Sequence, residues 1–413
     1  MPPHLDDYSA VAGPDAIDQL HQLARAVGRR RVVHVNSTRE GGGVAEILKR
    51  LVPLMQDLGL DVGWETVTGE ARFFQCTKAM HNGLQGAAVV LSASLLSAYE
   101  EASRENAERL APILADADFV FIHDPQPARL LDLVPNRKGR WIWRCHIDLS
   151  RPFRPVWSYL QPTVSAYDAS IFSLADFAQR LPHPQYLVPP SIDPLSNKNQ
   201  ELPDDEIRAT LDRHGLCVDR PTVLQVSRFD RFKDPIGVIR AYRLAKTRVP
   251  DLHLVLAGGG ATDDPEGEAV LAEVRSAAAD DPDIHVLLLP GDAHREINAL
   301  QRSAGVVMQK SLREGFGLTV TEAMWKGKPV VGGATGGIRL QVADGYTGYL
   351  VSSPEGAALR LLHLLQHDRM REAMGRRGRA FVRENFLLTR HLRDYLSLMV
   401  GLLHGHGERI VLA

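Results

Sequence analysis

The chain has few cysteines, few aromatic residues and almost no net charge, and each shortage disfavours a class of protein. Its three cysteines are odd in number and lack CxxC spacing, which disfavours a disulfide framework or a zinc site. This cysteine usage is typical of a reducing cytosol, so we expect a cytoplasmic protein. Aromatic residues make up 6% of the chain and are not interleaved with basic residues, as a base-stacking surface would require. A formal net charge of −2 indicates neither a nucleic acid nor an anionic membrane as partner.

Long apolar runs are also missing. None approaches the roughly 20 residues that a membrane-spanning helix needs. The stretch Met1–Asp7 has neither the basic region nor the apolar core of a signal peptide. The remaining composition, 44% hydrophobic and 24% charged residues, is ordinary for a globular protein. The 413 residues suffice for two or three domains.

Strand-like and helix-like segments alternate along the whole chain, which predicts an α/β protein with parallel sheets wound right-handedly. Amphipathic spacing predicts early helices at 15–27, 44–58, 92–114 and 154–160. Apolar runs predict strands in the first half at 32–36, 61–67, 118–124, 140–148 and 169–173. Strands in the second half are predicted at 222–226, 252–256, 284–288, 306–308, 330–331 and 349–351.

A proline cluster at 189–194, followed by the polar run 196–200, marks the boundary between two domains. We therefore predict a Rossmann-like N-terminal domain at 1–190, a linker at 191–205 and a second Rossmann-like domain at 206–385. Helices are expected at 354–366, 368–384 and 388–403. The last is apolar enough to dock on a core.

Two acids in the second half flank a glycine turn. Glu314 and Glu322 stand on either side of Gly315–Gly317, after one predicted strand and before another. If a helix begins near Leu318, Glu314 lies in the loop above it and Glu322 lies about one turn inside. A strand, a glycine turn and a helix N-terminus favour an anionic or polar ligand. The two carboxylates could bind separate hydroxyls of one long ligand, although a surface acid pair explains the pattern equally well.

Two cations follow the first strand of the second domain. Arg228 and Lys233 are expected at its carboxyl end, where ligands bind in open α/β sheets. A guanidinium fork and a lysine point charge suit a diphosphate, the alternative being solvated loop charges. A further glycine-rich turn, 332–337, could present backbone N–H groups to a phosphate.

Polar residues also follow the predicted strands of the first domain. His123 ends one strand, and His146 and Asp148 end the next. The glycine turn 41–43 would let a ligand approach the backbone closely, but it lacks the GxGxxG spacing of a dinucleotide site. The segment 73–86 carries a polar strip at helical spacing, which suits either a solvated face or a hydroxyl-binding surface.

Taken jointly, these motifs resemble retaining family-4 glycosyltransferases with the GT-B plan. In that plan two Rossmann-like parallel-sheet domains face a cleft, and the C-terminal helix crosses back to the N-terminal domain. The resemblance therefore implies that residues 386–413 pack back on the first domain. Four stretches of the first half, 34–46, 73–86, 123–126 and 143–150, look like the trehalose glycosyltransferring synthases. That resemblance implies transfer of glucose from a nucleoside-diphosphate glucose to free glucose, which yields trehalose. Some members of the family also run the reverse reaction.

The resemblance implies a role for each matching residue. Glu322 would hold the ribose hydroxyls, and Glu314 would contact the donor glucose. Arg228 and Lys233 would neutralise the diphosphate, and His123 would lie near the anomeric carbon and the 6-hydroxyl. The remaining donor-binding residues would be Gly42, Gly43, Phe316, Gly317 and Leu318. The residues facing the acceptor would be Lys78, His81, Asn82, His146 and Asp148.

The same resemblance implies the partners. They are UDP- or ADP-glucose together with glucose or trehalose, and a homodimer is compatible with it. No tightly bound cofactor or protein-bound metal is expected, although a Mg²⁺ ion could accompany the nucleotide sugar. Ser227 and Asp234 stand where many relatives carry glycine, which makes that loop less flexible but keeps both cations.

Four other functions compete with this one. A family-4 transferase with a sugar-phosphate acceptor is supported by Lys78, Arg144 and Arg151, whereas a lipid acceptor is disfavoured by the few cations of the 15–27 helix. A non-catalytic nucleotide-sugar sensor is disfavoured by the presence of every expected polar group. A dehydrogenase is disfavoured by the missing GxGxxG.

Overall fold

The structure is a computed structural model that describes residues 3–40, 43–217, 219–259 and 265–405. The chain divides into two compact units. The first contains the described residues up to Pro190 together with those from Leu388 onward, and the second runs from Ser191 to Leu387. Within the described ranges no helix is long and apolar enough to cross a membrane.

The first unit is built on a parallel sheet with the strand order β2-β1-β3-β4-β5-β6. Its strands are β1 Arg31–Asn36, β2 Asp61–Thr66, β3 Phe119–His123, β4 Arg140–Arg144, β5 Ala169–Phe172 and β6 Gln185–Leu187. The helices of this unit before Pro190 are α1 Ser9–Ala12, α2 Pro14–Val27, α3 Gly43–Asp57, α4 Ala71–Leu84, α5 Ala93–Leu114, α6 Leu130–Leu133 and α7 Arg154–Ser165. All five residues of β3 are buried, as expected for a central parallel strand covered on both faces.

The second unit repeats the plan with the order β12-β11-β10-β7-β8-β9. Its strands are β7 Thr222–Val226, β8 His253–Gly258, β9 Ile284–Leu288, β10 Val306–Gln309, β11 Val330–Gly333 and β12 Gly348–Val351. Its helices are α8 Asp204–Arg213, α9 Pro235–Lys246, α10 Pro265–Ala278, α11 His294–Ser303, α12 Leu318–Trp325, α13 Ile338–Gln341, α14 Pro354–Gln366 and α15 Asp368–Asn385. All the strand pairs of both sheets are parallel, as the alternation of elements predicts.

The last helix, α16 Leu388–His404, belongs to the first unit and packs on α2 and α3. Its buried residues include Leu392, Leu396 and Met399, which recur at helical spacing along one face. The Arg390 guanidinium donates to the carbonyl oxygen of Pro189 at 2.8 Å, so the start of α16 is bonded to the end of the first segment of its own unit.

Residues 191–205 form part of the second unit rather than a free linker. Asn298 Nδ2 donates to the carbonyl oxygens of Asn197 and Gln200, at 3.0 and 2.9 Å. Trp325 Nε1 donates to the carbonyl oxygen of Asn199 at 3.2 Å. The polar run in this segment therefore satisfies buried side chains of α11 and α12.

Three local expectations differ from the structure. Strand β4 ends at Arg144 and not at residue 148, so His146 and Asp148 lie after the strand. Helix α7 continues to Ser165 although Pro162 lies inside it, because Thr163 and Val164 are buried against the rest of the unit. The first two glycines of the predicted turn 332–337 lie in β11. A Cβ at Gly333 would come within 2.2 Å of the Ser311 carbonyl oxygen, so this strand requires glycine for close packing.

Candidate active site

The acid pair of the second unit lies where the sequence predicts it. Helix α12 begins at Leu318, so Glu314 is in the preceding loop and Glu322 is one turn inside the helix. Gly317, the residue before α12, has a φ of +85°, a value that favours glycine. A Cβ at Gly317 would also lie 3.1 Å from Glu314 Cγ. The glycine therefore allows the chain to turn sharply beside the carboxylate.

A second glycine turn supports this loop from its other side. A Cβ at Gly336 would lie 1.6 Å from the Glu314 carbonyl oxygen, and Gly336 has a φ of +45°. The Gly337 backbone N–H donates to the Gly315 carbonyl oxygen at 3.1 Å. Gln341 Nε2 donates to the Phe316 carbonyl oxygen at 2.5 Å. The loop that carries Glu314 thus rests on residues 336–341, and a side chain at Gly336 would displace it.

Lys233 and Glu314 form a direct ion pair. Lys233 ends a short 3₁₀ turn, Arg231–Lys233, that follows β7. Its Nζ lies 2.6 Å from Glu314 Oε2, and both side chains are largely buried. Ser311 Oγ donates to the same carboxylate oxygen at 3.2 Å. The structure therefore brings together the cation that was predicted to bind a diphosphate and the acid that was predicted to bind a sugar.

The turn that carries Lys233 is bonded to the loop that carries Glu314 at two further points. The Leu312 backbone N–H donates to the Phe232 carbonyl oxygen at 2.7 Å. The buried Lys310 pairs with the Asp234 carboxylate. Asp234 has a φ of +50°, and its carboxylate also accepts from the Gly237 N–H at the start of α9. These bonds hold an aspartate in a left-handed conformation that glycine adopts more readily.

Arg228 is not held in the same way. Its side chain is 63% exposed, and its Nη2 lies 3.5 Å from Asp230 Oδ2. Because an exposed pair at this distance contributes little, we expect the guanidinium to reorient readily when a ligand binds.

Glu322 lies on the buried side of α12 and is 5% exposed. The buried Lys326, one turn further along, donates from Nζ to Asn199 Oδ1 at 3.1 Å and to the Glu322 carbonyl oxygen at 3.2 Å. Burial lowers the pKa of Lys326 to about 7, and the charge of Glu322 opposes that shift. Sequence reasoning missed Lys326 and Asn199, although a lysine one turn after a buried acid is a usable signal.

In the first unit three histidine rings are bonded in series. His123 Nε2 lies 3.1 Å from His34 Nδ1, and His123 Nδ1 lies 3.0 Å from His146 Nε2. His34 and His123 are buried, and His146 is half-buried. The structure thus brings together two predicted site residues, His123 and His146. His34 was missed because it lies within an apolar strand run, where a histidine is indistinguishable from a core residue.

Asp124 fixes the backbone beside this series. It has a φ of +64°, unusual for a residue other than glycine. Its Oδ1 accepts from the His146 backbone N–H at 2.7 Å, and its carbonyl oxygen accepts from Trp143 Nε1 at 3.1 Å. Burial raises the pKa of the Asp124 carboxyl to about 7. A strained backbone next to polar strand ends is typical of functional sites.

The other acceptor-side candidates occupy separate positions. Lys78, His81 and Asn82 lie on α4, where spacings of three and four residues place them on one face. Lys78 and Asn82 are exposed, whereas His81 is half-buried and burial lowers its pKa. Asp148 Oδ1 accepts from the Ser150 N–H at 2.8 Å.

Two glycine candidates of the first half remain. Gly43 is the first residue of that helix, and Gly42 lies outside the described residues. In the part of the chain that the structure describes, no group of three or more His, Cys, Asp or Glu side chains could hold a metal ion.

Comparisons with known proteins match both units. The family model "Trehalose synthase, N-terminal domain" matches residues 34–179. The model "Glycosyl transferases group 1" matches residues 207–381. The chain is 45% identical over 399 residues to a trehalose synthase of Pyrococcus furiosus, covering 96% of each chain. It is 44% identical over 405 residues to a trehalose synthase of Rubrobacter xylanophilus, covering 97% of each.

The fold also matches solved structures. One is an α,α-trehalose-phosphate synthase (UDP-forming) from Burkholderia xenovorans in complex with glucose-6-phosphate. The TM-score is 0.70 at 14% identity, with 89% of this chain and 99% of that chain covered. At this identity the match concerns the fold alone. Together with the two six-stranded parallel sheets, it confirms the predicted GT-B fold.

Proposed function

Because the chain belongs to the trehalose synthase family of GT-B glycosyltransferases, we propose that it transfers glucose from a nucleoside-diphosphate glucose to the anomeric hydroxyl of free glucose. The products would be trehalose and the nucleoside diphosphate, and the reaction would be reversible. The observation that carries this proposal is the ion pair between Lys233 and Glu314. It places a cation suited to a leaving diphosphate beside a carboxylate suited to sugar hydroxyls.

The second unit would bind the donor. When the glycosyl–phosphate bond breaks, negative charge develops on the diphosphate, and Lys233 with the reorienting Arg228 would stabilise it. Glu314 would accept hydrogen bonds from the glucose hydroxyls, next to the backbone N–H groups of Phe316 and Gly317. Glu322, one turn inside α12, would bind the ribose hydroxyls.

Retention of the anomeric configuration would not need a carboxylate nucleophile of the kind that retaining glycosidases use. The Glu314 carboxylate is already bonded to Lys233 and Ser311, which makes it a poor nucleophile. We infer that the acceptor hydroxyl attacks from the face that the phosphate leaves, and that the leaving phosphate oxygen takes the hydroxyl proton. A covalent glucosyl ester trapped on an Asp or Glu side chain would falsify this inference.

The first unit would bind the acceptor, with His146 and Asp148 in the segment after β4 and with Lys78, His81 and Asn82 on α4. His123 would lie near the anomeric carbon and the 6-hydroxyl of the donor. Both of its ring nitrogens are bonded to other histidines. A ring nitrogen of His123 can therefore bind the 6-hydroxyl only if one of these bonds is exchanged for it.

The proposal needs no resident cofactor, because Lys233 and Arg228 supply positive charge at the diphosphate. A Mg²⁺ ion that arrives with the nucleotide sugar would add to that charge. The nucleotide would be UDP or ADP, the enzyme would act in the cytoplasm, and a homodimer is compatible with these roles.

The test is to incubate the purified protein with UDP-glucose or ADP-glucose and with glucose or glucose 6-phosphate, and to identify the disaccharide. Glucose 1-phosphate serves as a donor control that lacks the nucleotide. We expect trehalose from at least one nucleotide sugar with free glucose. Product with the phosphorylated acceptor alone, or with glucose 1-phosphate alone, would contradict the proposal.

A further inference from the structure

We propose that His34 is a positioning residue in the series His34–His123–His146. It fixes which ring nitrogen of each histidine carries the proton, which we call the proton order. As a result, His146 offers an N–H donor to a ligand and does not act as a base. The acceptor-binding role of His146 rests on the proposed function. The proton order itself does not, and it can be measured without substrate.

The geometry places the three rings in one hydrogen-bonded series. Both bonds run between an Nδ1 and an Nε2, with nitrogen–nitrogen distances of 3.1 Å and 3.0 Å. The His34 ring is stacked on Phe121 at 4.9 Å with an interplanar angle of 13°, which restricts its rotation. The His123 and His146 rings are stacked at 5.3 Å with an angle of 18°. None of the three rings can rotate without breaking a hydrogen bond to its neighbour in the series.

Burial favours the neutral form of all three rings in the folded protein at pH 7. Burial lowers the pKa of His34 to about 3, and it lowers the pKa values of His123 and His146 well below the usual range. A neutral imidazole carries one N–H donor and one bare acceptor nitrogen. Two hydrogen bonds in series then allow only two proton orders. Either every ring is protonated at Nδ1, or every ring is protonated at Nε2.

The buried end of the series decides between the two orders. His34 Nε2 is buried and has no hydrogen-bond partner among the described residues. If every ring were protonated at Nε2, this atom would be a buried N–H donor without an acceptor. Buried N–H groups without partners are rarer in proteins than unpaired acceptors. We therefore assign the protons to Nδ1, which leaves only a bare lone pair at the His34 end.

Groups near the other end do not select a tautomer. Burial lowers the pKa of His146 most, and Arg144 and His391 lower it further, so all three favour the neutral ring. The Asp124 carboxylate accepts from the His146 backbone N–H and not from its ring. The unpartnered nitrogen of His34 therefore remains the deciding feature.

This order has a chemical consequence. His146 Nδ1, which makes no hydrogen bond to the described residues, carries a proton and donates it to an oxygen of the acceptor sugar. His146 therefore orients the acceptor and does not remove its proton. The proton of the attacking hydroxyl goes to the leaving phosphate oxygen as the carbon–oxygen bond to phosphate breaks. If His146 acted as a base instead, the proton of the acceptor hydroxyl would remain on the protein and would not pass to the phosphate.

The experiment is nitrogen NMR of the full chain with ¹⁵N-labelled histidine and without ligand, because ¹⁵N shifts distinguish protonated from bare ring nitrogens. Assignments come from single variants of the three histidines. We expect His123 and His146 to be protonated at Nδ1 and bare at Nε2. Protonation of either ring at Nε2 would overturn the proposal.

Two variants of His34 test its role in the series. In His34→Asn the amide nitrogen can occupy the position of Nδ1 and still donate to His123, whereas the His34→Asp carboxylate accepts and cannot donate. We expect His34→Asn to keep the wild-type tautomers and His34→Asp to reverse them, with turnover reduced by about 10²-fold, as for a misplaced reacting group. Unchanged tautomers in His34→Asp would overturn the proposal.

Phe121→Leu is the matched control, because it removes the stacking ring and no donor. It should leave the tautomers of His123 and His146 unchanged. If Phe121→Leu changes them, the tautomers are set by packing around His34 and not by its hydrogen bond. If His34→Asp does not fold, the wild-type and His34→Asn spectra still decide the proton order. If the proposed function is wrong, no trehalose forms even though the tautomers are as assigned. That outcome is distinct from failure of the proton-order proposal.

Discussion

Lys233 Nζ lies 2.6 Å from Glu314 Oε2, so the two residues expected at opposite ends of a glucosyl diphosphate are one ion pair. The side chains are only 18% and 9% exposed, which strengthens the attraction between the charges. A bound donor would meet a preformed pair whose lysine is already oriented toward the sugar side. If the proposed roles hold, this pair would supply preorganised charge of the kind that electrostatic catalysis requires.

Removing the lysine charge should reduce catalysis strongly. In Lys233→Met the leaving diphosphate loses its oriented cation, and we expect turnover to fall by about 10²–10³, the cost of losing one preorganised electrostatic contact. The matched control is Arg231→Met, two residues earlier in the same turn, whose guanidinium pairs with Glu273 instead. The control should stay within about twofold of wild type, as for an exposed ion pair. Equal losses in both variants would assign the effect to the turn and not to the Lys233 charge.

The two acids should have separable effects. Glu314→Ala removes the partner of Lys233 and the proposed sugar contact, so we expect mainly a lower kcat. Glu322→Ala removes the proposed ribose contact, so we expect mainly weaker nucleotide binding. Steady-state kinetics and calorimetry with the nucleoside diphosphate measure the two effects. Indistinguishable effects of the two variants would contradict this division of roles.

Gly336→Ala should lower activity as well as the free energy of unfolding, because the new side chain would displace the loop that carries Glu314. Gly336 and Gly345 both have positive φ values, +45° and +74°. Alanine at either position costs on the order of 1–2 kcal/mol of folding free energy, because a left-handed conformation is strained. Only at Gly336 would the new Cβ meet the Glu314 carbonyl oxygen, at 1.6 Å.

We therefore expect Gly336→Ala to lower kcat/KM by more than about tenfold, in line with misplacement of a catalytic group by a fraction of an ångström. Gly345→Ala has nothing within 4 Å of its new Cβ, and it should lose stability while keeping activity. Thermal unfolding and steady-state kinetics on the two variants provide the comparison. Equal activity in both would show that the glycine turn does not support the Glu314 loop.

Lys326 should make stability depend on pH. Burial lowers its pKa from 10.5 to about 7, so between these values the unfolded chain binds more protons than the folded chain. Stability contributed by this group is therefore lowest below pH 7 and rises with pH, by up to about 1.4 kcal/mol per pH unit. The Lys326→Met variant lacks this dependence. Urea unfolding from pH 7.5 to 9.5 should show a wild-type-minus-variant difference that increases with pH, and a constant difference would contradict the assignment.

Much of the fold can be predicted from the spacing of apolar residues and from the glycine, proline and polar residues that separate helices and strands. Helix α12 begins at Leu318 because a glycine with positive φ precedes a run of buried residues, and both features are visible in the sequence. The strands of both sheets are likewise apolar runs bounded by polar or glycine residues. Local signals of this kind identify an element without knowledge of its neighbours.

The parts that could not be predicted depend on contacts between distant residues. His34 looks like one more buried residue of β1, and only the fold brings its ring to His123, 89 positions later in the chain. Asn199 belongs to a polar run typical of linkers, yet its amide oxygen accepts from Lys326. The Lys233–Glu314 pair spans 81 positions, so spacing predicts both residues but not their contact.

The most direct test of the account is the ratio of kcat/KM for glucose to kcat/KM for glucose 6-phosphate, measured with one nucleoside-diphosphate glucose. Two relatives with 44–45% identity over almost the whole chain are trehalose synthases, whereas the trehalose-phosphate synthase from Burkholderia xenovorans shares the fold at 14% identity. We predict that glucose is preferred by at least about tenfold, which requires about 1.4 kcal/mol of discrimination between the two acceptors. A preference for glucose 6-phosphate would contradict the account, because the acceptor would then be a sugar phosphate.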